Sequence, residues 1–430
     1  MDMQLQNQNT DESLIYPRNW ANLAAILAGV AVPAVVFGRA VLLPLLVVPA
    51  ALAIYRINWT SLKTPKFRTD DRGLLAYAIC ATSLIWLISS FGSIEPAKSL
   101  ATWSRTIALI ALAYFLISFL SSSERLLEMS IKALITTSAF VLTASVYSLY
   151  VNEIPFEIYR FFKGTNAILL QTLKPYYSVS ACILPVVLWG GWRYRKVWGV
   201  LALSHIPLTA LLVYGRGEQP GLSSIFGLFA SIALIGVIAS IKYFSARTVW
   251  VVVASLIVSI IIAASYVIYQ LPVPPVSATQ APNLMFPDWH RQVIWGFTAA
   301  VVKGAPFLGV GPNTVNLVFG ANEIIPGLNQ EYIPAHPHNW PLEIAAETGL
   351  LGFTCFAFTL FIALRCLGRI ALKGNSAAWA AIALFGAFWS SSLANFSIWS
   401  AWWLTVLCVL ISLTTAALIL ENQRSDDGLP

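Results

Sequence analysis

A succession of long apolar runs limits the fold more than any other feature of this chain. Their approximate bounds are 21–38, 40–55, 74–92, 103–120, 129–151, 175–192, 197–214, 222–244, 248–270, 349–367, 376–397 and 401–420. Each approaches the ~20 apolar residues that a helix needs to cross the hydrocarbon of a bilayer. A soluble core gives no reason for so many runs of that length. Only 10% of the chain is charged and 58% is hydrophobic, whereas soluble domains carry about 25% charge. Backbone in hydrocarbon must satisfy its own polar groups, so spans of this kind are helices. The expected class is an all-α integral membrane protein with about twelve transmembrane helices. Residues 1–19 are polar, with Asp2, Asp11 and Glu12, and no short apolar core follows at once. The segment is therefore not expected to be a cleaved leader, and the first span is expected to stay as an anchor. Cys80, Cys182, Cys355, Cys366 and Cys408 fall in or at the ends of apolar runs. They follow neither a disulfide framework nor zinc spacing and are expected as small core residues.

Basic residues orient the spans, because Lys and Arg collect in cytoplasmic loops. With the N-terminus inside, seventeen of the 26 Lys and Arg fall on the inner side, and the bias alternates loop by loop. The nine on the outer side are Arg39, Lys98, Arg105, Arg160, Lys163, Lys174, Arg216, Arg291 and Lys303. The net charge of +7 is then mostly cytoplasmic anchor charge and calls for no nucleic acid. The expected organisation is a cytoplasmic segment 1–20, spans one to nine over 21–270, an outer loop 271–348, spans ten to twelve over 349–420, and a cytoplasmic tail 421–430. Both termini are inside. A connection as long as 271–348 is usually functional. It contains a helical pattern, "DWHRQVIWGFTAAVVKGAP", with Trp289, Val293, Phe297 and Val301 at intervals of four. That stripe is expected to pack on the bilayer surface or on the helix ends. The glycine-rich "PFLGVGPNTV", 306–315, ends the helix.

The loop closes on "IPAHPHNWPLEIAAETGLLG", 333–352, which gathers His336, His338, Asn339, Glu343 and Glu347. Trp340 precedes a proline and is biased away from helical angles. Pro341 suits the first position of a helix, and Glu343 in its first turn suits the helix dipole. This helix is expected to run into the tenth span, holding His338 near the outer membrane–water boundary. A helix N-terminus and a nearby arginine disfavour imidazolium, leaving the ring neutral and basic, as a general base must be. The plain alternative is a polar side chain snorkelling at the interface. His336 is expected beside His338 or at the surface, and His205 as a hydrogen-bonded core histidine. Glu347 shares a face with Glu343 and either orients a neighbour or bridges helices.

Arg216, in "VYGRGEQPG", stands between glycines at the outer mouth of the seventh span, and Arg291 opens the loop helix. An arginine fork matches phosphate oxygens and keeps its charge. Two forks and a neutral histidine on one side suit a diphosphate and a hydroxyl. Outer-leaflet anchoring is the alternative for each. Arg105, Arg160, Lys163 and Lys174 are further candidates for the same electropositive basin. The paired aspartates Asp70–Asp71 and Asp426–Asp427 are both cytoplasmic, and His336 and His338 are poorly spaced for a metal. Catalysis is expected from a base and arginines, with no metal or cofactor. No GxSxG, Walker or HExxH motif is present.

The chain resembles the O-antigen ligase family of Gram-negative inner membranes, within a wider ligase and polymerase superfamily. The likeness rests on the long outer loop, on "RQVIWGFTAAVVKGAPFLGVGPNT" (291–314), on "HNWPLEIAAETGLLG" (338–352) and on Arg216 after a span. The family pattern continues with a threonine after its glycine, where this chain has Gly349-Leu350-Leu351-Gly352. It has a serine before the arginine, where this chain has Gly215. The resemblance implies a GT-C-like glycosyltransferase architecture and an active site on the periplasmic side. It also implies inverting transfer of O-antigen from undecaprenyl diphosphate to a sugar hydroxyl of lipid A–core. His338, Arg216 and Arg291 would be catalytic. Arg105, His336, Asn339, Glu347, Arg160 and Lys163 would join Arg216 and Arg291 in contacting substrates. The alternatives are an O-antigen polymerase or a protein O-oligosaccharyltransferase using the same donor. A transporter or flippase would instead place ionisable residues at mid-membrane and show internal repeats.

Overall fold

The computed structural model describes residues 18–56, 71–217, 221–277, 279–285 and 287–426. Each of the twelve stretches expected to span is helical: α1 (Arg18–Ala31), α2 (Leu42–Arg56), α3 (Asp71–Phe91), α4 (Pro96–Leu120), α5 (Glu124–Tyr150), α7 (Leu169–Tyr194), α8 (Lys196–Tyr214), α9 (Leu222–Ser240), α10 (Ala246–Gln270), α12 (Trp340–Leu372), α13 (Ser376–Ser391) and α14 (Ala401–Asp426). Two more, α6 (Ile154–Lys163) and α11 (Trp289–Gly304), lie in connections. Among the described residues eight helices are long and apolar enough to cross a membrane, and α1 and α2 are shorter apolar ones. The protein is an all-α, multi-pass membrane protein. Asp70 and Asp427 lie outside the described residues.

Helix boundaries follow local chemistry. Asp288, Asn339, Asn375 and Ser245 cap α11, α12, α13 and α10, each accepting a backbone N–H with its side chain. Gly164 and Gly215 end α6 and α8 in the left-handed conformation. The bundle core lies between α1, α5, α7, α13 and α14, where Trp403 and Phe388 stack at 4.5 Å and Tyr176, Phe119 and Leu134 are buried. Between α9 and α13, Ser231 Oγ donates to the Ala383 carbonyl at 2.7 Å, a polar contact that suits close-packed membrane helices. His205 is a bonded core histidine, 2.7 Å from Ser138 Oγ and 2.7 Å from the Leu201 carbonyl.

Three expectations change. The α11 stripe meets the start of α12 at Ala346, as packing on helix ends requires, but most of it packs within the loop. Val293, Trp289 and Phe297 meet Val276, Ile325, Leu328 and Tyr332 of the loop itself, and Val301 meets Val315, Ala321, Ile333 and Ala346. The loop therefore has a small core of its own. Span eleven stops at Ser391, and one 3-10 turn carries the chain to Ala394, so Asn395–Ser397 leave the helix. Finally, Cys80 is exposed on α3, whereas Cys182 and Cys366 are buried; none of the five is in a disulfide.

Alternating spans bring one set of connections to one end of the bundle, here called the site face. These are the turn 31–42, the junction of α3 and α4, α6, the Arg216 turn, the long loop and residues 392–400. Bonds join them: Lys98 Nζ to Asn316 Oδ1 at 3.2 Å, Ser93 Oγ to the Val310 carbonyl at 3.0 Å, and the Arg216 N–H to Tyr150 Oη at 3.2 Å.

Candidate active site

The site is built on a break in α12. Gly349 has φ 67° and ψ 177°, a conformation open essentially to glycine alone. The break frees carbonyls of the preceding turn, and the glycine-rich loop takes them. Val310 N–H donates to the Ala346 carbonyl at 3.0 Å and Gly311 N–H to the Glu347 carbonyl at 2.8 Å. Leu350 N–H returns a bond to the Pro306 carbonyl at 2.8 Å. A Cβ on Gly309 would fall on the Glu347 backbone, and one on Gly349 on the Phe307 carbonyl. The glycines are thus required by backbone-to-backbone packing between loop and helix.

Two buried carboxylates, one turn apart on the first part of α12, fasten two loops. Glu347 accepts from Asn313 N–H at 2.8 Å, from Val315 N–H at 3.0 Å and from Trp399 Nε1. Glu343 accepts from Ser397 Oγ at 2.5 Å and Ile398 N–H at 2.9 Å. Both are 1% exposed. Arg105 reaches the same segment, donating to the Trp399 carbonyl at 2.9 Å. Glu347 therefore takes the bridging alternative, its oxygens engaged by the protein's own donors. Asn339 caps α12 through Leu342 N–H at 3.2 Å.

The loop fixed by Glu343 presents the group that organises the histidines. His338 Nδ1 lies 2.7 Å and His336 Nε2 3.0 Å from one acceptor, the Asn395 carbonyl oxygen. A carbonyl only accepts, so both of these nitrogens carry protons, and each ring, when neutral, keeps its lone pair on the other nitrogen. For His338 that lone pair is on Nε2. The rings are 4.1 Å apart, and His338 adopts φ 53°, a left-handed backbone uncommon for any residue but glycine. The Asn395 amide is itself held, donating to Ser178 Oγ at 3.1 Å.

Burial is the main reason that His338 resists protonation. It pushes the imidazole down to about 4, helped by His336, Arg291 and His290 and opposed by the bond to Asn395. His336 is lowered as well, again chiefly by burial, with Arg39 adding to the effect. The shift runs in the direction of a neutral ring, with desolvation as the leading cause ahead of the arginine.

Arg291 stands in the first turn of α11, paired with Asp288 at 3.5 Å. Trp295 Nε1 on the same helix donates to the Pro337 carbonyl at 3.0 Å and so holds α11 against the histidine segment. Arg216 is exposed, with φ 61° between two left-handed glycines. Its turn rests on Tyr177, whose neighbour Ser178 holds Asn395. Arg160 and Lys163 belong elsewhere, on α6 beside a separate apolar cavity. Sequence reasoning missed Asn395, His290 and Arg39. His290 Nε2 donates to the Glu331 carbonyl at 3.0 Å. Arg39 stacks on Trp402 at 4.9 Å. The signal for Asn395 was the polar "SSSLANFS" ahead of the last span, on the same side as the loop by parity.

A family model described as O-antigen ligase matches residues 221–357, the stretch from α9 through the loop to just past the α12 break. A candidate polysaccharide ligase of Rickettsia conorii is 24% identical over 377 residues, 85% of this chain and 86% of its own length. Similarly described proteins of Rickettsia typhi and Rickettsia prowazekii are each 28% identical over 140 residues, 31% of this chain and 34% of theirs. Over residues 221–357 the chain is thus similar to the O-antigen ligase family.

Proposed function

We propose that the protein is an O-antigen ligase, transferring O-antigen polysaccharide from undecaprenyl diphosphate to a sugar hydroxyl of lipid A–core. The site face would be periplasmic, in the bacterial inner membrane. The observation that carries this reading is the shared Asn395 carbonyl. It takes the Nδ1 proton of His338, at 2.7 Å, and leaves Nε2 as a neutral base beside the arginine-bearing helix. His338 Nε2 accepts the proton of the acceptor hydroxyl as that oxygen attacks the anomeric carbon, opposite the diphosphate. The carbon–oxygen bond to the diphosphate breaks and the anomeric centre inverts. Arg216 and Arg291 stabilise the charge developing on the leaving diphosphate. Cleavage of the donor's glycosyl ester to diphosphate supplies the driving force, so no nucleotide is needed.

Transfer proceeds without a metal in this reading. It is supported by the engagement of Glu343 and Glu347, whose oxygens hold Ser397, Ile398, Asn313, Val315 and Trp399. The test incubates purified protein with undecaprenyl-diphosphate glycan and lipid A–core, with EDTA and without nucleotide. Glycosylated lipid A–core is the expected product. Elongation of the donor glycan instead would make the protein a polymerase, and a requirement for Mg²⁺ or Mn²⁺ would overturn the metal-free mechanism. Sidedness is tested with single cysteines at Met285, on the site face, and at Ser122, on the opposite one. An impermeant thiol reagent should reach only the first in intact cells.

A further inference from the structure

A second site lies on the same face, away from the histidine pair. Residues 33–37, α5, α6 and the start of α7 enclose a cavity of about 430 Å³, within the size range of ligand pockets. Its walls are apolar, formed by Phe37, Phe140, Val141, Phe156, Phe162 and Leu173 among others. Two of its hydroxyls are already satisfied, Ser148 by the Ala144 carbonyl and Thr172 by the Ile168 carbonyl. One wall is α6, an amphipathic helix with Phe161 and Phe162 81% and 82% exposed, as a helix lying in the membrane interface would have them.

The lip of this groove is cationic. Lys163 lines it and donates to Tyr159 Oη at 2.8 Å, a neutral partner that leaves the charge uncompensated. The Lys163 ammonium also lies 3.0 Å from where a Cβ on Gly38 would be, directly against the turn that carries Arg39. Arg39 is exposed, stacks on Trp402 and stands near enough to His336 to disfavour its protonation. Neither cation pairs with a carboxylate among the described residues. Arg160 differs. It is taken up by Glu153 at 3.6 Å, by the Ala167 carbonyl at 2.9 Å and by the Phe156 ring, and Glu157 is also on α6. The path from groove to base is thus Lys163, Gly38, Arg39, His336. Arg291 acts on the other histidine, His338.

We propose that this groove binds the lipid anchor of the acceptor, a phosphorylated and acylated glycolipid, with an acyl chain in the cavity and a phosphate monoester on Lys163 and Arg39. The assignment rests on the ligase reading for the identity of the acceptor, while the binding itself does not. Apolar walls in a bilayer take a hydrocarbon chain, and the two uncompensated cations call for an anionic head. The anchor would be held on the Arg39 side of the histidines, leaving the Arg291 side to the donor diphosphate.

The experiment has two arms. In the first, protein in phosphatidylcholine nanodiscs is titrated with lipid A and followed by native mass spectrometry. Dephosphorylated lipid A, phosphatidylglycerol and undecaprenyl diphosphate serve as competitors. Lys163→Ala should weaken lipid A binding about ten- to a hundredfold, the loss of one charge-assisted hydrogen bond. Ala144→Phe, which fills the cavity, should weaken it comparably, and dephosphorylated lipid A should compete poorly. Equal competition by phosphatidylglycerol would make the groove a general lipid site and overturn the proposal. Selective displacement by undecaprenyl diphosphate would give the groove to the donor and overturn it as well. In the second arm, both variants should raise the acceptor KM in transfer assays and leave the donor KM unchanged. A wild-type protein that binds lipid A through Lys163 but transfers no glycan would sink the ligase reading and leave the groove standing.

Discussion

The two ends of the bundle use their charges in opposite ways. At the end away from the site, one cluster of charges pairs internally. Arg193 bonds Glu124 at 2.9 Å and approaches Glu421 at 3.6 Å, and Arg424 reaches Glu124 at 3.3 Å. Glu421 also accepts from Ser376 N–H at 2.8 Å and Ser376 Oγ at 2.6 Å. That network joins α5, α7, α13 and α14 into one closed unit. At the site face, Arg39, Lys163 and Arg216 pair with no described carboxylate, while the buried carboxylates Glu343 and Glu347 bind backbone and side-chain donors instead. The buried carboxyl groups of the site face shape loops, which leaves Arg39, Lys163 and Arg216 for a ligand. Charge count alone cannot tell anchor from site, but the identity of each partner does.

The strongest way to break this contrast is at the base. His338→Ala should lower transfer about 10²–10⁴-fold, the range for a general base, while expression and donor binding persist. The pH profile gives a sharper form. Burial holds the ring down to about 4, and the neutral ring is the active form. Activity should therefore hold through pH 6 and fall only as the pH drops towards 4. That acid limb should be missing from the residual activity of the variant. A limb near the ordinary histidine value in the wild type would mean that the ring is solvated in the working enzyme.

Next come the arginines. Arg216→Ala and Arg291→Ala should each cost about 10²-fold in rate, comparable to removing one preorganised donor to a developing negative charge. Lysine should rescue poorly, because a point charge does not reproduce the fork. Normal turnover in Arg216→Lys would return that residue to the class of surface anchors.

A smaller effect is expected from the carboxylates. Glu343→Gln keeps the volume but sets an amide N–H₂ against one of the two donors it now binds, Ser397 Oγ or Ile398 N–H. Residues 395–398 should shift and loosen the Asn395 carbonyl, lowering the rate about tenfold, and the acid limb should move as the Nδ1 bond weakens. Glu347→Ala strands the N–H groups of Asn313 and Val315 and Trp399 Nε1. Each stranded donor costs about 1–3 kcal/mol, so thermal stability should fall along with activity. A variant of Glu343 that loses stability with an unmoved pH profile would show that this residue has no hold on His338.

Much of this was legible in sequence because hydropathy and Lys/Arg counts report local, additive physics. Apolar length gave the spans, and Pro341 gave the start of α12. The charge alternation placed His338, Arg216 and Arg291 on one side. The tertiary contacts were not legible. The orienting group for both histidines is a main-chain carbonyl, which has no signature in residue identity, and it lies 57 residues away from His338. Phe396 and Ile398 extend the apolar run across Asn395, so hydropathy carried span eleven past its true end. The stripe on α11 was read correctly as apolar, but its partners are loop residues such as Ile325 and Tyr332, which no periodicity links to it. Arg160 and Lys163 share a helix and a sign, and only the structure separates the arginine bound to Glu153 from the lysine at the groove.

The weakest effect belongs to the closed end. Glu124→Gln removes the charge that Arg193 and Arg424 share while keeping its shape. Arg193 is 19% exposed and Glu124 29%, so the pair is neither fully solvated nor deeply buried. Its loss should cost on the order of 1 kcal/mol, seen as a modest drop in melting temperature. Rate per folded molecule, the His338 acid limb and lipid A binding should all stay put, because no bond in this network reaches the site face. Double-variant cycles make the comparison quantitative. Glu124→Gln combined with Glu343→Gln should be additive within about 0.5 kcal/mol, as for distant sites that share no partner. A coupling well above that would mean that the two ends communicate through the bundle, and the division between an anchoring end and a working end would have to be abandoned.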